Sequence, residues 1–309
     1  MAPSPNSVPG HSLPNWKEER SIARQFAVPL RRGGENFLSR LVVATCLCVL
    51  FSSGCGRAKY EERLKRTAEF HVYLNSMNSN LSTPWIRQDL GMAFRPPLPF
   101  QQPLPGPEVF KDQLGEEKLG PDPRQSTPLG IELPGLVEAW SGRFDTAGEE
   151  PEVWMYLLSN YDRMIEELDG GPPSDEFLVD LERELMGVFQ VTIPDGETSQ
   201  VRENTRYRAQ FPPSNSPSAA YSTPKDYSVI PFLPPGPVQD QELQGWLYER
   251  RVGKTQAALL IVLPKNPPGL FRQRVEMALS TWTVDNVAPK RKNPNAPGGG
   301  RSGGKAPNF

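Results

Sequence analysis

The 309-residue chain carries 34 Lys and Arg against 36 Asp and Glu, a formal net charge of −2, and its 35 Pro and 26 Gly make up close to a fifth of it, above the roughly 12 % of average usage. With 37 % hydrophobic residues, that composition predicts one folded region with long Pro-rich loops and disordered ends rather than two full domains. Two histidines, His11 and His71, exclude a His-rich metal site, and three cysteines confined to Cys46, Cys48 and Cys55 exclude a disulfide framework or Cys-ligated zinc site in the main body.

Residues 1–36 are rich in Pro, Ser and Arg without a sustained apolar period, and they read as a disordered N-terminal extension. Residues 37–54 read as a signal segment. Arg40 supplies the basic flank, Leu41 to Phe51 form an unbroken apolar run, and Ser52-Ser53-Gly54 supply small residues before Cys55. The run is too short for a transmembrane helix, which needs about 20 apolar residues. Its ending resembles the signal of bacterial lipoproteins, in which small side chains precede a cysteine that becomes the first mature residue. Ser53, Gly54 and Cys55 fit that pattern, whereas Ser52 stands where the family usually has Leu. The resemblance implies that Cys55 is the lipid attachment site, with the protein held at the cell envelope by acyl chains such as palmitate. The same resemblance implies a protein facing the periplasm or the exterior, with Gly56 in place of Asp favouring the outer membrane where the cell has one. The competing reading is a buried apolar element with an incidental cysteine. Inside the run, Cys46 and Cys48 read as small hydrophobes rather than a metal pair. The roughly 40 residues before the run suggest a misassigned start, and Arg31-Arg32 lacks the apolar pair that a twin-arginine signal needs.

Charge is divided unevenly. Residues 55–288 hold 23 Lys and Arg against 33 Asp and Glu, a net of −10, while residues 289–309 hold five basic residues and no acid. An acidic body argues against nucleic-acid binding, which needs a basic surface to neutralise phosphates. The tail reads as a solvated, disordered basic end. The expected partners are the membrane, through the anchor, and an envelope protein.

Residues 55–288 are expected to form an α+β domain: an antiparallel sheet packed against helices, with long Pro-rich loops. Tyr60 to about Leu81 reads as a helix with Leu64, Ala68, Val72 and Met77 near one face. Met92–Phe94 reads as a short strand closed by Pro96-Pro97. Pro97 to Pro134 reads as a long surface excursion. Leu136–Trp140 and Val153–Leu158 read as strands, the second with the option of opening a helix through Ile165. Pro172-Pro173-Ser174 introduces a helix, with Ser174 as N-cap and Phe177, Leu178, Leu181, Leu185 and Val188 on one face. A strand with Val191 and Ile193 is expected next, then polar, Pro-rich chain to Pro237. Leu243–Arg251 and Thr255–Leu263 predict a hairpin turning at Val252-Gly253-Lys254. Its second strand is apolar on both faces and therefore central. Phe271, Val275, Ala278, Leu279 and Trp282 predict a final amphipathic helix, Leu270–Val284, covering one sheet face.

No catalytic, cofactor-binding or metal site emerges. Gly253-Lys254-Thr255 imitates the end of a P-loop, but Tyr248 stands where its first glycine belongs and a strand follows instead of a helix. His71 has no second histidine or cysteine beside it. The pairs Glu149-Glu150 and Glu166-Glu167 are indistinguishable from a solvated acidic surface, and Pro194-Asp195-Gly196-Glu197 reads as a turn, not a calcium loop.

The element order from Phe177 to Trp282, with Met92–Pro97 and Leu279–Trp282, faintly resembles the PsbP-like fold. That resemblance implies helices over an antiparallel sheet and no activity. Two functions compete: a non-catalytic envelope lipoprotein that binds or scaffolds a partner, and a lipid-anchored hydrolase acting on cell-wall glycan through Asp/Glu pairs. A deep cleft with two carboxyls about 5–10 Å apart would favour the hydrolase.

Overall fold

The computed structural model describes residues 55–111, 115–144, 151–192 and 206–289. The chain divides into two units, Met1–Leu64 and Lys65–Phe309. Of the first, only the opening turns of helix α1 (Cys55–Asn80) are described. After α1, the second unit runs β1 (Trp85–Arg87), β2 (Met92–Phe94), β3 (Val109–Lys111), β4 (Glu117–Leu119), β5 (Leu136–Arg143), β6 (Glu152–Ser159), α2 (Tyr161–Glu167), α3 (Phe177–Phe189), β7 (Tyr207–Phe211), β8 (Lys225–Phe232), β9 (Leu243–Val252), β10 (Thr255–Pro264), α4 (Gly269–Thr281) and β11 (Thr283–Val284). The fold is α+β, with antiparallel sheets.

A six-stranded sheet in the order β5-β6-β10-β9-β8-β7 forms the centre. Its strand β10 is apolar at every position from Ala257 to Leu263, and the structure shows why. Ala257, Leu259, Ile261 and Leu263 enter one buried cluster, with Trp140, Phe271 and Trp282, while Ala258, Leu260 and Val262 enter a second, with Phe177, Leu181 and Phe232. Side chains alternate across a strand, so a strand covered on both faces must be apolar at both parities. Helix α4 and a small sheet, β1-β2-β11, contribute to the first cluster, and α3 contributes to the second. Phe271, Val275, Leu279 and Trp282 are fully buried, each contributing roughly 1.5–3 kcal/mol of apolar burial.

The hairpin turns where the sequence places it. Val252 pairs with Thr255, leaving Gly253-Lys254 as a two-residue loop. Gly253 has φ +59°, and a Cβ there would lie 2.4 Å from the Asn286 side chain. A positive φ at the first central position is what a II′ hairpin demands. Farther along, Gly245 lets β9 pass under Phe189, which stacks on Phe232 at 5.2 Å; a Cβ would approach the Phe189 ring to 2.7 Å.

Several expectations are corrected. The polar stretch before Pro237 contains two strands of the main sheet, β7 and β8. Pro231 conceals β8 in the sequence, yet β7 pairs only as far as Val229, so no ladder bond on that side needs the missing N–H. The 97–134 excursion is anchored by buried Phe100, Leu129 and Leu133, although its hairpin β3–β4 is exposed. Ser174 is not an N-cap: it lies in a 3-10 turn and donates to the Glu167 carboxylate at 2.6 Å. Val191 is not in a strand. Gln190 ends α3 in the left-handed region, and the Val191 N–H returns to the Met186 carbonyl at 3.1 Å.

At the other end of the unit, α4 stops at Thr281, because Trp282 turns extended and Thr283–Val284 join β2. Beyond Ser159 the chain does become helical, as α2, after β6 has run its full length. On α1, Leu64, Ala68 and Val72 are exposed and only Met77 of the expected face is buried. The packing residues are Tyr73 and Met77 instead, followed by Leu81 just beyond the helix. Expectations for residues 1–54, for Ile193 and for the tail from Lys290 lie outside the described residues.

Candidate functional site: a cavity at the C-terminal end of α4

An α-helix leaves its last carbonyls without intrahelical partners and carries about half a negative charge at that end. Here those carbonyls meet donors from the neighbouring sheet. Tyr227 Oη donates to the Leu279 carbonyl at 2.7 Å, and Arg250 Nη1 donates to the Trp282 carbonyl at 2.8 Å. The Ser280 carbonyl accepts from both Ser222 Oγ, at 3.1 Å, and Lys225 Nζ. Ser280 and Thr281 turn their own hydroxyls back onto the Met277 and Ala278 carbonyls. Strands β8 and β9 thus deliver two cations and a phenol to one helix end. Pairing in register Ser228 with Glu249 and Val229 with Tyr248 brings those segments side by side.

Beside this helix end lies a cavity of about 450 Å³, within the roughly 300–1,000 Å³ of small-molecule sites. Tyr73, Leu74 and Met77 of α1, Ile86 of β1 and Phe94 of β2 form its apolar wall. Tyr221 closes one side, 5.2 Å from Tyr73 and 5.6 Å from Phe70 by ring centroid. Arg95, Lys225, Ser280 and Thr281 supply its polar side, and no lining residue is acidic.

Burial sets the chemistry of the polar groups. It draws the Lys225 ammonium down to about 8, and the Arg250 guanidinium acts in the same direction. It also raises the Tyr73 phenol, against opposing hydrogen bonds to Ser222 and Ser280. The Arg95 backbone N–H donates to Thr281 Oγ1 at 3.0 Å, while its guanidinium donates to the Ser82 carbonyl and to Asn78 Oδ1, both at 3.1 Å.

None of the candidate site residues singled out in the sequence is among those lining this cavity. Cys55 is the first residue of α1. His71 is exposed on α1, Gly253-Lys254-Thr255 forms a hairpin turn, and Glu166-Glu167 belong to α2. Cys46, Cys48, Glu149-Glu150 and Pro194–Glu197 lie outside the described residues. Among the described residues, no group of three or more His, Cys, Asp and Glu is placed to hold a metal ion, and no helix is long and apolar enough to cross a membrane.

One buried carboxylate pair was invisible in the sequence. Glu249 of β9 lies beside Glu182 of α3, and Arg206 pairs with both. Desolvation, then the Glu182 charge, holds the Glu249 carboxyl well above the usual carboxylate range. The Arg206 guanidinium pairs with both carboxyls and holds them as a buried charge cluster.

No family model matches the chain. No curated protein matches it either. Among solved structures, a protein from Bacteroides thetaiotaomicron VPI-5482 is similar at 8 % sequence identity with a TM-score of 0.26, over 66 % of this chain and 48 % of that one. The chain therefore spans about half the length of that protein.

Proposed function

We propose that the chain is a cell-envelope lipoprotein, anchored through acyl groups on Cys55, whose folded body binds an apolar ligand in the cavity beside α4 without transforming it. The observation that supports binding over catalysis is the make-up of the cavity. Its walls are apolar, and its polar atoms are largely committed to helix carbonyls. Such a wall with a few fixed polar groups at one side suits retention and orientation of a ligand. Anchoring agrees with the small-residue exit before Cys55 and with the acidic body, which has no use for nucleic acid.

The test is binding of the neutral fluorophore N-phenyl-1-naphthylamine to the full chain. One saturable site per chain is expected. Leu74→Trp, which fills the cavity from α1, should weaken it at least tenfold while leaving the far-UV circular dichroism unchanged. Equal binding by both proteins would overturn the assignment of this cavity.

A further inference from the structure

Two cations, Lys225 and Arg250, reach the end of α4, while Arg95, its guanidinium on the C-terminal end of α1, lines the same cavity. Lys225 and Arg95 line the cavity, and Arg250 holds the Trp282 carbonyl. Among the described residues none of the three has a carboxylate within ion-pairing distance. The helix terminus offsets only about half a charge, so a net positive field remains on the polar side of an otherwise apolar cavity. It is not part of a generally basic surface, since residues 55–288 carry a net charge of −10. Burying cations without a counter-charge is costly, and the geometry therefore has a place for an anion.

Resting on the binding reading above, we infer that the cavity takes a single-chain amphiphile with a carboxylate head, the head between Lys225 and Arg95 and the hydrocarbon chain against Leu74, Met77, Ile86 and Phe94. Donor capacity fits that head. An ammonium has three hydrogens, and Lys225 spends one on the Ser280 carbonyl. Arg95 commits Nε and Nη2 to Ser82 and Asn78, which leaves Nη1. The spare donors match the two oxygens of a carboxylate, a small, singly charged head. The chain's own basic tail, with five Lys and Arg after Pro289 and no acid, has the wrong sign to occupy the site.

The experiment is calorimetric titration of the full chain with dodecanoate, dodecanol, dodecyltrimethylammonium and dodecyl phosphate, each below its micellar concentration. Dodecanoate should bind one per chain, at least tenfold tighter than the alcohol and tighter than the phosphate, with the ammonium amphiphile weakest. Lys225→Met, and independently Arg95→Gln, should reduce the dodecanoate-to-dodecanol preference below threefold while dodecanol affinity stays within twofold of wild type. Equal binding of dodecanoate and dodecanol, or tighter phosphate binding, would overturn the carboxylate assignment while leaving the cavity as a binding site. Binding of none of the four would overturn both.

Discussion

The side-chain oxygen of Gln256 accepts the backbone N–H of Leu178, 78 residues away in sequence, at 3.1 Å. The same carboxamide donates to the Asp175 carbonyl at 2.7 Å, and the Gln256 backbone N–H donates to Asn160 Oδ1 at 2.9 Å. A central strand therefore supplies the cap that α3 lacks from its own sequence. Asn160 completes the network by donating to the Ser174 and Lys254 carbonyls, both at 3.0 Å.

Gln256→Leu keeps the volume but strands the Leu178 N–H and the Asp175 carbonyl. Losing a cap and leaving buried polar groups unpaired costs about 2–3 kcal/mol. Ser174→Ala, at the expected but unused cap position, should cost no more than about 1 kcal/mol. Urea unfolding of both variants checks the order. A larger loss for Ser174→Ala would contradict it.

The Glu249 carboxyl carries a sign-definite pH effect. Its folded pKa is raised by burial and by Glu182, so the fold holds a proton that the unfolded chain releases above about 4.5. Stability from this group is fully present below that value and is lost as pH rises toward the raised pKa. Glu249→Gln keeps a polar side chain of the same shape beside Glu182 and removes the titration. It should raise Tm by a few degrees at pH 8, on the order of 1–2 kcal/mol, and change it little at pH 4.5. Thermal unfolding across that range decides, and a variant destabilised at pH 8 would contradict the assignment.

At the hairpin turn, Gly253→Ala places a methyl in the left-handed region and against Asn286. The backbone penalty alone is roughly 1–2 kcal/mol. The loss should appear in urea midpoints, while Gly269→Ala, where a Cβ meets nothing within 4 Å, should stay within about 0.5 kcal/mol of wild type.

Strand β10 and helix α4 were legible because burial imposes a pattern on the residues themselves: both parities apolar in one, a 3–4 spacing in the other. Strand β8 was not, because Lys225, Asp226, Ser228 and Pro231 mask its buried Tyr227, Val229, Ile230 and Phe232. On α1 the exposed Val72 and Ala68 imitated a packing face that belongs to Tyr73 and Met77. The cavity left no local signal. Arg95 lies on the exit from β2, and Lys225 opens β8. Only tertiary packing places both cations on the lining of one cavity, just as sheet and helix packing brings Glu182 beside Glu249. Such pairs depend on tertiary contact and have no fixed spacing along the chain.

The envelope reading turns on Cys55. Two or more acyl chains, at about 0.8 kcal/mol per buried methylene, hold a protein at a membrane without a spanning helix. Intact-mass measurement of the protein extracted from a bacterial host grown with labelled palmitate is the direct test. The account predicts a chain beginning at Cys55 that carries labelled acyl groups, and a Cys55→Ala variant that is neither cleaved nor labelled. An unmodified Cys55, or wild type and variant of equal processed mass in the soluble fraction, would contradict it.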